Sequence, residues 1–217
     1  MAKCNVIGLG YIGLPTSLIL ANSGHDVIGV DINKEIIKQL SESKSHIKEA
    51  GLDELLINCI SNGKFKVQSE PCSAEIFIIA VPTPLDKTNN KLLPKADISF
   101  VRKAFESISH VIKKGDLIIL ESTSPVGTTQ QLAELMYENE FHKEINLAYC
   151  PERVIPGKII NELIYNDRVI GGITKKSAEI CSEFYSTFCK GNLLLTDAKT
   201  AEMIKLTENA FRDVNIA

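Results

Sequence analysis

Gly8-Leu9-Gly10-Tyr11-Ile12-Gly13 decides the fold, because it joins a short apolar run, 4–7, to a helical pattern that begins at Leu14. Gly-x-Gly-x-x-Gly between a strand and a helix is typical of dinucleotide-binding domains. The first glycine permits the tight turn, the second lets a pyrophosphate approach the backbone, and the third lets the helix pack on its strand. The helix N-terminus then directs free N–H groups at the phosphates. The stretch predicts a dinucleotide contact through Gly8, Gly10, Tyr11, Ile12 and Gly13, and an incidental glycine turn is the alternative.

Asp31 supports this interpretation, because it ends the next apolar run, 26–30, about 20 residues after the glycines. A carboxylate at that place accepts a hydrogen bond from the ribose 2′-OH and repels a 2′-phosphate. No arginine follows it directly, so the sequence favours NAD over NADP, although Lys34 lies nearby. The alternative for Asp31 is a solvated strand end or a cap of the helix predicted at 34–40.

Composition excludes several classes of function. The 217 residues carry a net charge of only −3, which gives no electrostatic reason to expect a nucleic acid or a membrane as partner. No apolar stretch approaches the roughly 20 residues that span a bilayer, and a strand is predicted almost at the first residue, so no signal peptide is expected. The six cysteines lack metal-ligand spacing, so no metal site is expected. Buried free thiols in a reducing cytoplasm are the expectation.

Apolar strand-like runs alternate with helical patterns, which predicts an α/β domain with a doubly wound parallel sheet over residues 1–197. Strands are expected at 4–7, 26–30, 65–68, 76–81, 117–120, 145–149, 168–173 and 193–195. Helices are expected at 14–22, 34–40, 52–60, 98–114 with Asp97 as cap, 128–139 and 175–189.

From about Thr200 the pattern is helical again, with an apolar stripe formed by Met203, Leu206, Ala210, Val214 and Ala217. This helix ends without a glycine, asparagine or proline terminator. We therefore expect 198–217 to be the start of a long linking helix, in a chain that is a fragment of a longer protein. A short terminal helix that frays is the alternative.

Reactive side chains follow several strands, where ligands bind in parallel sheets. The segments are Val81-Pro82-Thr83-Pro84, 122–127, and Cys150-Pro151-Glu152-Arg153. A polar loop, 85–95, is expected to lie over a ligand. Together these segments bring hydroxyls, a carboxylate and a guanidinium to one crevice.

These segments, in order, resemble the UDP-glucose/GDP-mannose dehydrogenase family over essentially the whole chain. The matching stretches are 8–15, 81–84, 121–129, 149–157, 167–172 and 200–217. The resemblance implies a two-step oxidation of a sugar C6 alcohol, in which two NAD⁺ accept hydrides. It also implies that a cysteine holds the aldehyde as a thiohemiacetal and then as a thioester before hydrolysis, which splits one difficult conversion into easier steps.

The resemblance also implies roles for individual residues. Thr123 would orient a water or the sugar oxygen, and Glu152 would be the acid/base of the hydrolysis. Lys205 and Asn209, four apart on one helix face, would hold the developing oxyanion. The residues that line the cofactor site would be Val81, Pro82, Thr83, Ser122 and Thr123.

Each of these residues has a simpler interpretation. The alternative for Thr123 is closure of the turn before Pro125, that for Glu152 is a surface pair with Arg153, and that for Thr83 is a bond to the turn backbone. For Lys205 and Asn209 the alternative is a solvated helix face. For Arg212 the alternatives are a contact with substrate or a neighbouring subunit and a surface salt bridge.

Two departures from the family pattern bear on function. The family's nucleophilic cysteine lies beyond Ala217, and Cys150 is interpreted as a small buried residue, because the family string carries a cysteine here beside its separate nucleophile. Relatives that act on UDP-glucose carry a second glutamate where this chain has Pro156. The resemblance therefore implies a UDP-linked N-acetylated hexosamine as substrate, with UDP-N-acetylmannosamine expected and UDP-N-acetylglucosamine or UDP-glucose as alternatives.

The fragment is expected to bind NAD without turnover, and the intact enzyme to be a homo-oligomer through its C-terminal helix that supplies precursors of surface polysaccharides. A 3-hydroxyacid-type dehydrogenase and a non-catalytic dinucleotide-binding module remain as competing functions. The first uses the same glycine turn and a lysine on a later helix. A non-catalytic module would not require the reactive residues that follow the strands.

Overall fold

The computed structural model describes residues 1–86, 94–138 and 144–217, without the side chains of 137 and 138. Most of the polar loop predicted to lie over a ligand, 87–93, is outside the described residues. So is Asn139, the predicted last residue of one helix.

Eight strands form one sheet in the order β3-β2-β1-β4-β5-β6-β7-β8. Strands β1 to β8 are Lys3–Ile7, Asp26–Val30, Phe65–Gln68, Ile76–Ile79, Leu117–Leu120, Asn146–Tyr149, Arg168–Gly172 and Leu193–Asp197. All neighbours from β3 to β6 are parallel. The predicted doubly wound α/β sheet is confirmed, with one correction: β7 runs antiparallel to β6, and β8 follows the direction of β7.

Helices cover both faces of the sheet. Helices α1 to α8 are Gly13–Asn22, Lys34–Ser41, Leu52–Ser61, Ser99–Ile108, Thr128–Glu138, Ile159–Tyr165, Lys175–Tyr185 and Ala198–Ile216. One apolar core lies between the sheet and α1, α3, α6 and α7, and a second lies between the sheet and α4, α5 and α8. Ile76 and Ile78 of β4 point into the first core, and Phe77 and Ile79 into the second. Continuous apolar strands are required because both faces are buried.

No helix in the described ranges combines the length and the apolar character that a bilayer crossing demands.

Three helices differ from the sequence prediction. Helix α4 ends at Ile108 rather than at residue 114, in a turn where Ser109 N–H bonds the Glu106 carbonyl. Helix α7 ends at Tyr185 rather than at residue 189, and Thr187 Oγ1 donates to the Phe184 carbonyl at 2.7 Å. Such side-chain bonds compete with continued helix. The seven-residue α6 was not predicted.

The buried face of α8 is not its apolar stripe. Ala198, Ala201, Glu202 and Lys205 are buried, whereas Met203 is 53% exposed. Val214 and Ala217 are exposed as well. The packing of α8 therefore depends on small side chains and on two buried charged groups, which hydropathy alone does not detect.

The reversal of β7 and β8 decides where α8 lies. Both strands start at the edge where β1–β6 end, and β8 ends at Asp197, level with Gly172 of β7 and Ala148 of β6, so α8 begins there and returns towards that edge. Gly171 of β7 makes room for this helix, because a Cβ there would lie 2.6 Å from the Asp197 carbonyl oxygen and 2.7 Å from Ala201 Cβ. The second turn of α8 thereby reaches the edge that carries the predicted site.

Candidate functional site

The glycine turn between β1 and α1 has the close packing that its sequence predicts. Gly8 has φ +91°, and a Cβ there would lie 2.7 Å from the Ala80 carbonyl oxygen. A Cβ on Gly13 would lie 1.8 Å from the Gly8 carbonyl oxygen. Around Gly10, in contrast, a Cβ would meet nothing within 4 Å in the described structure. Gly8 and Gly13 are thus required by the fold, and Gly10 leaves open space above the turn.

The start of α1 suits an anion. Within the described ranges, no side chain caps this helix, and its first turn carries no acidic residue. The Leu14 N–H bonds the Gly10 carbonyl and Pro15 has no N–H, so this end of the helix offers a phosphate the Gly13 N–H and the positive end of the dipole. The open space at Gly10 lies beside this helix end. The residues present fit the pyrophosphate of a dinucleotide.

Asp31 is held by backbone on both sides. Leu9 N–H donates to Asp31 Oδ2 at 2.9 Å, and Asn33 N–H donates to Oδ1 at 2.8 Å. Asn33 itself caps α2 by accepting from Glu35 N–H at 3.0 Å. The carboxylate is half-buried, and its remaining lone pairs suit a ribose hydroxyl. Asp31 orders the strand end and presents an acceptor beside the glycine turn, while Asn33 is the cap of α2. The contact of Asp31 with a ribose stays a prediction.

The residues after β4 and β5 bind one another. Val81 N–H donates to Ser122 Oγ at 3.0 Å, and Ser122 Oγ donates to the Val81 carbonyl at 2.8 Å. Thr83 Oγ1 donates to the Thr123 carbonyl at 2.7 Å. Ser122 and Thr83 thus hold the two loops together. The Thr83 hydroxyl bonds a backbone carbonyl, which is the kind of contact that its simpler interpretation predicts. Pro82 is exposed at the same edge.

Tyr11 and Ile12 occupy different surroundings. Ile12 packs against the first core, whereas Tyr11 is 40% exposed. Tyr11 Oη donates to Glu49 Oε2 over a long 3.5 Å. Glu49 also accepts from Gly157 N–H at 3.0 Å, so it connects the glycine turn to the segment that follows Glu152. Sequence reasoning missed Glu49, because it lies between α2 and α3 in a segment without a motif.

Glu152 and Lys205 meet although 53 positions separate them. Lys205 Nζ donates to the Glu152 carbonyl at 2.5 Å and lies 3.5 Å from Glu152 Oε1. The side chain of Lys205 is 5% exposed and that of Glu152 is 17% exposed. Val154 N–H donates to Glu152 Oε2 at 2.8 Å, which fixes the carboxylate. The solvated face suggested for Lys205 is wrong, since this ammonium is buried on the sheet side of α8.

Arg153 does not pair with Glu152. Its guanidinium forms an ion pair with Glu208 of α8 instead, a second link between this helix and the loop after β6. The simpler interpretation of Glu152 as a partner for Arg153 is wrong. The carboxylate of Glu152 is instead directed towards Lys205.

Two predicted site residues retain free polar groups. In the part of the chain that the structure describes, neither the Thr123 hydroxyl nor the Asn209 side-chain amide has a hydrogen-bond partner, and both residues are half-buried. The structure therefore does not connect Asn209 to Glu152 or Thr123. Both groups remain available to a ligand.

A buried charged network lies beneath this edge. Glu121, at the end of β5, accepts from Tyr185 Oη at 2.6 Å and lies 3.9 Å from Arg168 Nη1. Arg168 also stacks on the Tyr185 ring, 4.8 Å from its centroid. Burial raises the pKa of Glu121, and the charge of Arg168 opposes that shift.

Cys150 adjoins the network and is fully buried, as predicted. Burial raises the pKa of its thiol to about 11, so the thiol is protonated at neutral pH. A buried, protonated thiol is a poor nucleophile.

Sequence reasoning missed Glu202, which is fully buried on α8. Its carboxylate accepts from Gly127 N–H at 2.5 Å and from Thr129 N–H at 2.8 Å. The available signal was position: Glu202 lies three residues before Lys205 and one after Ala201, on the face with small side chains. Sequence reasoning assigned no role to Glu121 or Arg168, although each lies at one end of an apolar strand.

Comparison with known proteins identifies the family. Residues 2–189 match the NAD-binding domain model of the UDP-glucose/GDP-mannose dehydrogenase family. The chain is 50% identical over 212 residues to the UDP-N-acetyl-D-mannosamine dehydrogenase of Methanocaldococcus jannaschii, covering 98% of this chain and 48% of that protein. It is 46% identical over 223 residues to an NDP-N-acetyl-D-galactosaminuronic acid dehydrogenase of Ralstonia nicotianae, covering 98% and 52%.

A solved structure shares the fold at similar identity. The UDP-N-acetyl-mannosamine dehydrogenase Cap5O from Staphylococcus aureus superposes with a TM-score of 0.93 at 47% identity, covering 99% of this chain and 52% of that one. The chain spans about half the length of the curated relatives it matches.

Proposed function

This chain belongs to the UDP-glucose/GDP-mannose dehydrogenase family, and we propose that it is the NAD-binding part of an enzyme that oxidises the C6 alcohol of UDP-N-acetylmannosamine to the carboxylate. The observation that carries the proposal is the contact of Lys205 with Glu152, 3.5 Å from Nζ to Oε1. It supports the assignment because it joins the two groups that the family resemblance places at the reacting carbon.

The cofactor of this domain is NAD, in agreement with the family model. Gly8, Gly10 and Gly13 with the N-terminus of α1 would hold its pyrophosphate, and Asp31 would accept from its ribose. When bound, NAD⁺ supplies the hydride acceptor, and oxidation of an alcohol to an acid consumes two of them with one water. The fragment itself is proposed to bind NAD without turnover.

The protein groups then supply proton transfer and charge. The buried ammonium of Lys205 suits a negative oxygen that develops on the sugar carbon, because charge stabilisation is strong where water is excluded. Asn209, with its free amide, is proposed to donate to the same oxygen. Glu152 is proposed to take a proton from the attacking water in the hydrolysis, and Thr123 to orient that water or the sugar oxygen.

Two observations support an N-acetylated hexosamine as the sugar. The relatives at 50% and 46% identity are named for N-acetyl-D-mannosamine and N-acetyl-D-galactosaminuronic acid, respectively. Pro156 stands where relatives that act on UDP-glucose carry a glutamate. The N-acetylgalactosamine sugar is the second candidate, because the relative named for it is nearly as similar to this chain.

Domain organisation and assembly remain proposals. We assign 1–197 to the NAD-binding domain and 198–217 to the start of a helix that links it to a sugar-nucleotide domain. Met203, Phe211 and Val214 are 53%, 72% and 77% exposed on α8, which supports a homo-oligomer through this helix. Area removed from water at such side chains favours association.

The test uses the chain and the longer protein. The chain is titrated with NADH and NADPH by fluorescence, and its folding is followed by circular dichroism. We expect saturable binding of NADH and much weaker binding of NADPH. The longer protein should form two NADH per UDP-N-acetylmannosamine and none with a 3-hydroxyacid. A folded chain that binds neither nucleotide, or a longer protein that forms one NADH per substrate, contradicts the proposal.

The two candidate sugars are compared in the same assay. Equal amounts of UDP-N-acetylmannosamine and UDP-N-acetylgalactosamine are offered, and the uronate product is identified by chromatography. Exclusive oxidation of UDP-N-acetylgalactosamine would replace the first candidate with the second.

A further inference from the structure

Glu202 is a fully buried carboxylate, and its side-chain hydrogen bonds within the described residues go to one neighbouring segment. Gly127 N–H donates to its Oε2 at 2.5 Å. Thr129 donates to its Oε1 through both N–H, at 2.8 Å, and Oγ1, at 2.6 Å. Among the described residues, no basic side chain forms an ion pair with it. Its negative charge is instead compensated by the N-terminus of α5, where free N–H groups and the helix dipole converge.

The segment that Glu202 binds continues directly from Thr123. That loop is fixed at its start, because Ser122 bonds Val81 and Thr83 bonds the Thr123 carbonyl. Glu202 fixes its end at Gly127 and Thr129. The Thr123 hydroxyl therefore lies on a loop that is held from both sides, by β4 and by α8.

Lys205 lies three residues after Glu202 on the same buried face of α8. Its ammonium binds Glu152, on the loop after β6. One turn of α8 therefore binds both loops at the candidate site: Glu202 holds the loop with Thr123, and Lys205 holds the loop with Glu152. A shift of α8 along its axis would alter both contacts together.

We infer that Glu202 is a positioning residue of the proposed reaction, which sets the turn of α8 that carries Lys205 against the loop that carries Thr123. Glu202 touches neither substrate nor cofactor in this role. The inference rests on the proposed function for its catalytic meaning, but not for its geometry. It also explains why a buried acidic side chain, rather than an apolar one, occupies this helix face.

The substitution Glu202→Gln keeps the size of the side chain and changes only its charge and its hydrogen-bonding groups. Both carboxylate oxygens accept, so a glutamine must direct its NH₂ group at an N–H donor, either of Gly127 or of Thr129. No orientation of the amide satisfies both sides. The milder variant Thr129→Val removes one hydroxyl donor and keeps the carboxylate. Glu134→Gln, on the exposed face of α5, is the matched control for the loss of a carboxylate.

The primary measurement is the ammonium signal of Lys205 in the 217-residue chain, labelled with ¹⁵N at lysine Nζ and assigned by its loss in Lys205→Arg. A buried ammonium bound to Glu152 exchanges its protons slowly with water, so its signal is visible. We expect Glu202→Gln to broaden or remove the signal, Thr129→Val to shift it less, and Glu134→Gln to leave it unchanged. An unchanged signal in Glu202→Gln, with only a lower melting temperature, would overturn the inference. If Glu202→Gln does not fold, Thr129→Val decides in the same way.

The second measurement uses the longer enzyme. We expect Glu202→Gln to lower kcat by about tenfold or more, because small displacements of reacting groups are costly, and to leave KM for NAD⁺ unchanged. A parallel rise in KM for NAD⁺ with unchanged kcat contradicts the inference. If the wild-type enzyme oxidises no UDP-N-acetylhexosamine, the proposed function fails, while the Lys205 signal still decides the role of Glu202.

Discussion

The glycine turn and the contact region of α8 reach the same edge of the sheet by different means. In the glycine turn, the hydrogen bond from Leu9 to Asp31 spans 22 positions. At α8, the bonds of Lys205 and Glu202 span 53 to 75 positions. The turn needs the absence of side chains at Gly8 and Gly13, whereas the α8 region needs buried charges with matched partners. The glycine turn is therefore local in sequence, whereas the α8 region, which is proposed to act in catalysis, depends on the arrangement of the whole sheet.

The largest effect is expected at the glycine turn. Gly13→Ala places a Cβ 1.8 Å from the Gly8 carbonyl oxygen, a backbone atom that has no room to move. We expect a loss of more than about 4 kcal/mol in the free energy of unfolding, or no folded chain, measured by urea denaturation.

Gly10→Ala is the matched control within the same turn, since its Cβ meets nothing within 4 Å in the described structure. Stability should change by less than about 0.5 kcal/mol, while NADH affinity falls because the new methyl group occupies the space left for the pyrophosphate. Wild-type stability in Gly13→Ala would show that the turn is not the local unit described above.

The second largest effect on stability is expected at the buried pair of Arg168 and Glu121, which long-range packing brings together. Arg168→Met removes the cation beside the buried Glu121 carboxylate and leaves it with Tyr185 and Thr16 as neighbours. We expect a loss of about 3 to 5 kcal/mol in the free energy of unfolding by urea denaturation, since an uncompensated buried charge is costly. The double variant Glu121→Gln/Arg168→Met should recover part of this loss. Equal stability of the single variant and the wild type would refute the structural importance of the pair.

A smaller effect, on NADH affinity, is expected at Asp31, the proposed acceptor for the ribose. Asp31→Ala removes the acceptor for Leu9 N–H and Asn33 N–H as well as the proposed ribose contact. NADH binding should weaken by about 1.5 to 3 kcal/mol, which is roughly 10- to 100-fold, and the preference over NADPH should narrow. Fluorescence titration measures both, with the exposed Asp53→Ala as control. Retained preference for NADH would assign nucleotide selection to another residue.

The smallest effect concerns His25, which connects the start of the chain to the segment after α7. Its Nδ1 accepts from Ala2 N–H at 3.2 Å, and its Nε2 lies 2.9 Å from Thr187 Oγ1 after α7. Burial lowers the pKa of His25 below its ordinary value of 6.5. The unfolded chain therefore binds a proton at a pH where the folded chain does not.

Stability should decrease as the pH falls below about 6.5 and should level off below the folded-state pKa of His25. The slope should be shallower in His25→Gln, and urea denaturation at several pH values measures it. Identical slopes in both proteins would mean that other groups produce the pH dependence.

The sequence predicted those features that local patterns determine. The glycine turn, the place of Asp31 and all eight strands were predicted from short motifs and apolar runs. Gly13 shows why this was possible: a glycine is required there because of the Gly8 carbonyl, only five residues away. The direction of β7 was not predicted, because an apolar run is the same in a parallel and an antiparallel strand. Glu202 was missed because a charged residue in a helix is ordinarily assigned to solvent. Only the packing of α8 on Gly171 and α5 reveals its burial.

The junction between β6 and β7 has a consequence for how the domain opens. It comprises two residue pairs, Ala148 with Gly172 and Tyr149 with Gly171, whereas the other strand pairs comprise four or five. Cooperative opening units separate where few bonds join them. Amide hydrogens of β7 and β8 should therefore exchange with solvent deuterium through an opening that leaves β1, β4 and β5 protected. Since α8 follows β8, that opening would carry Lys205 away from Glu152 while the nucleotide-binding half stays folded.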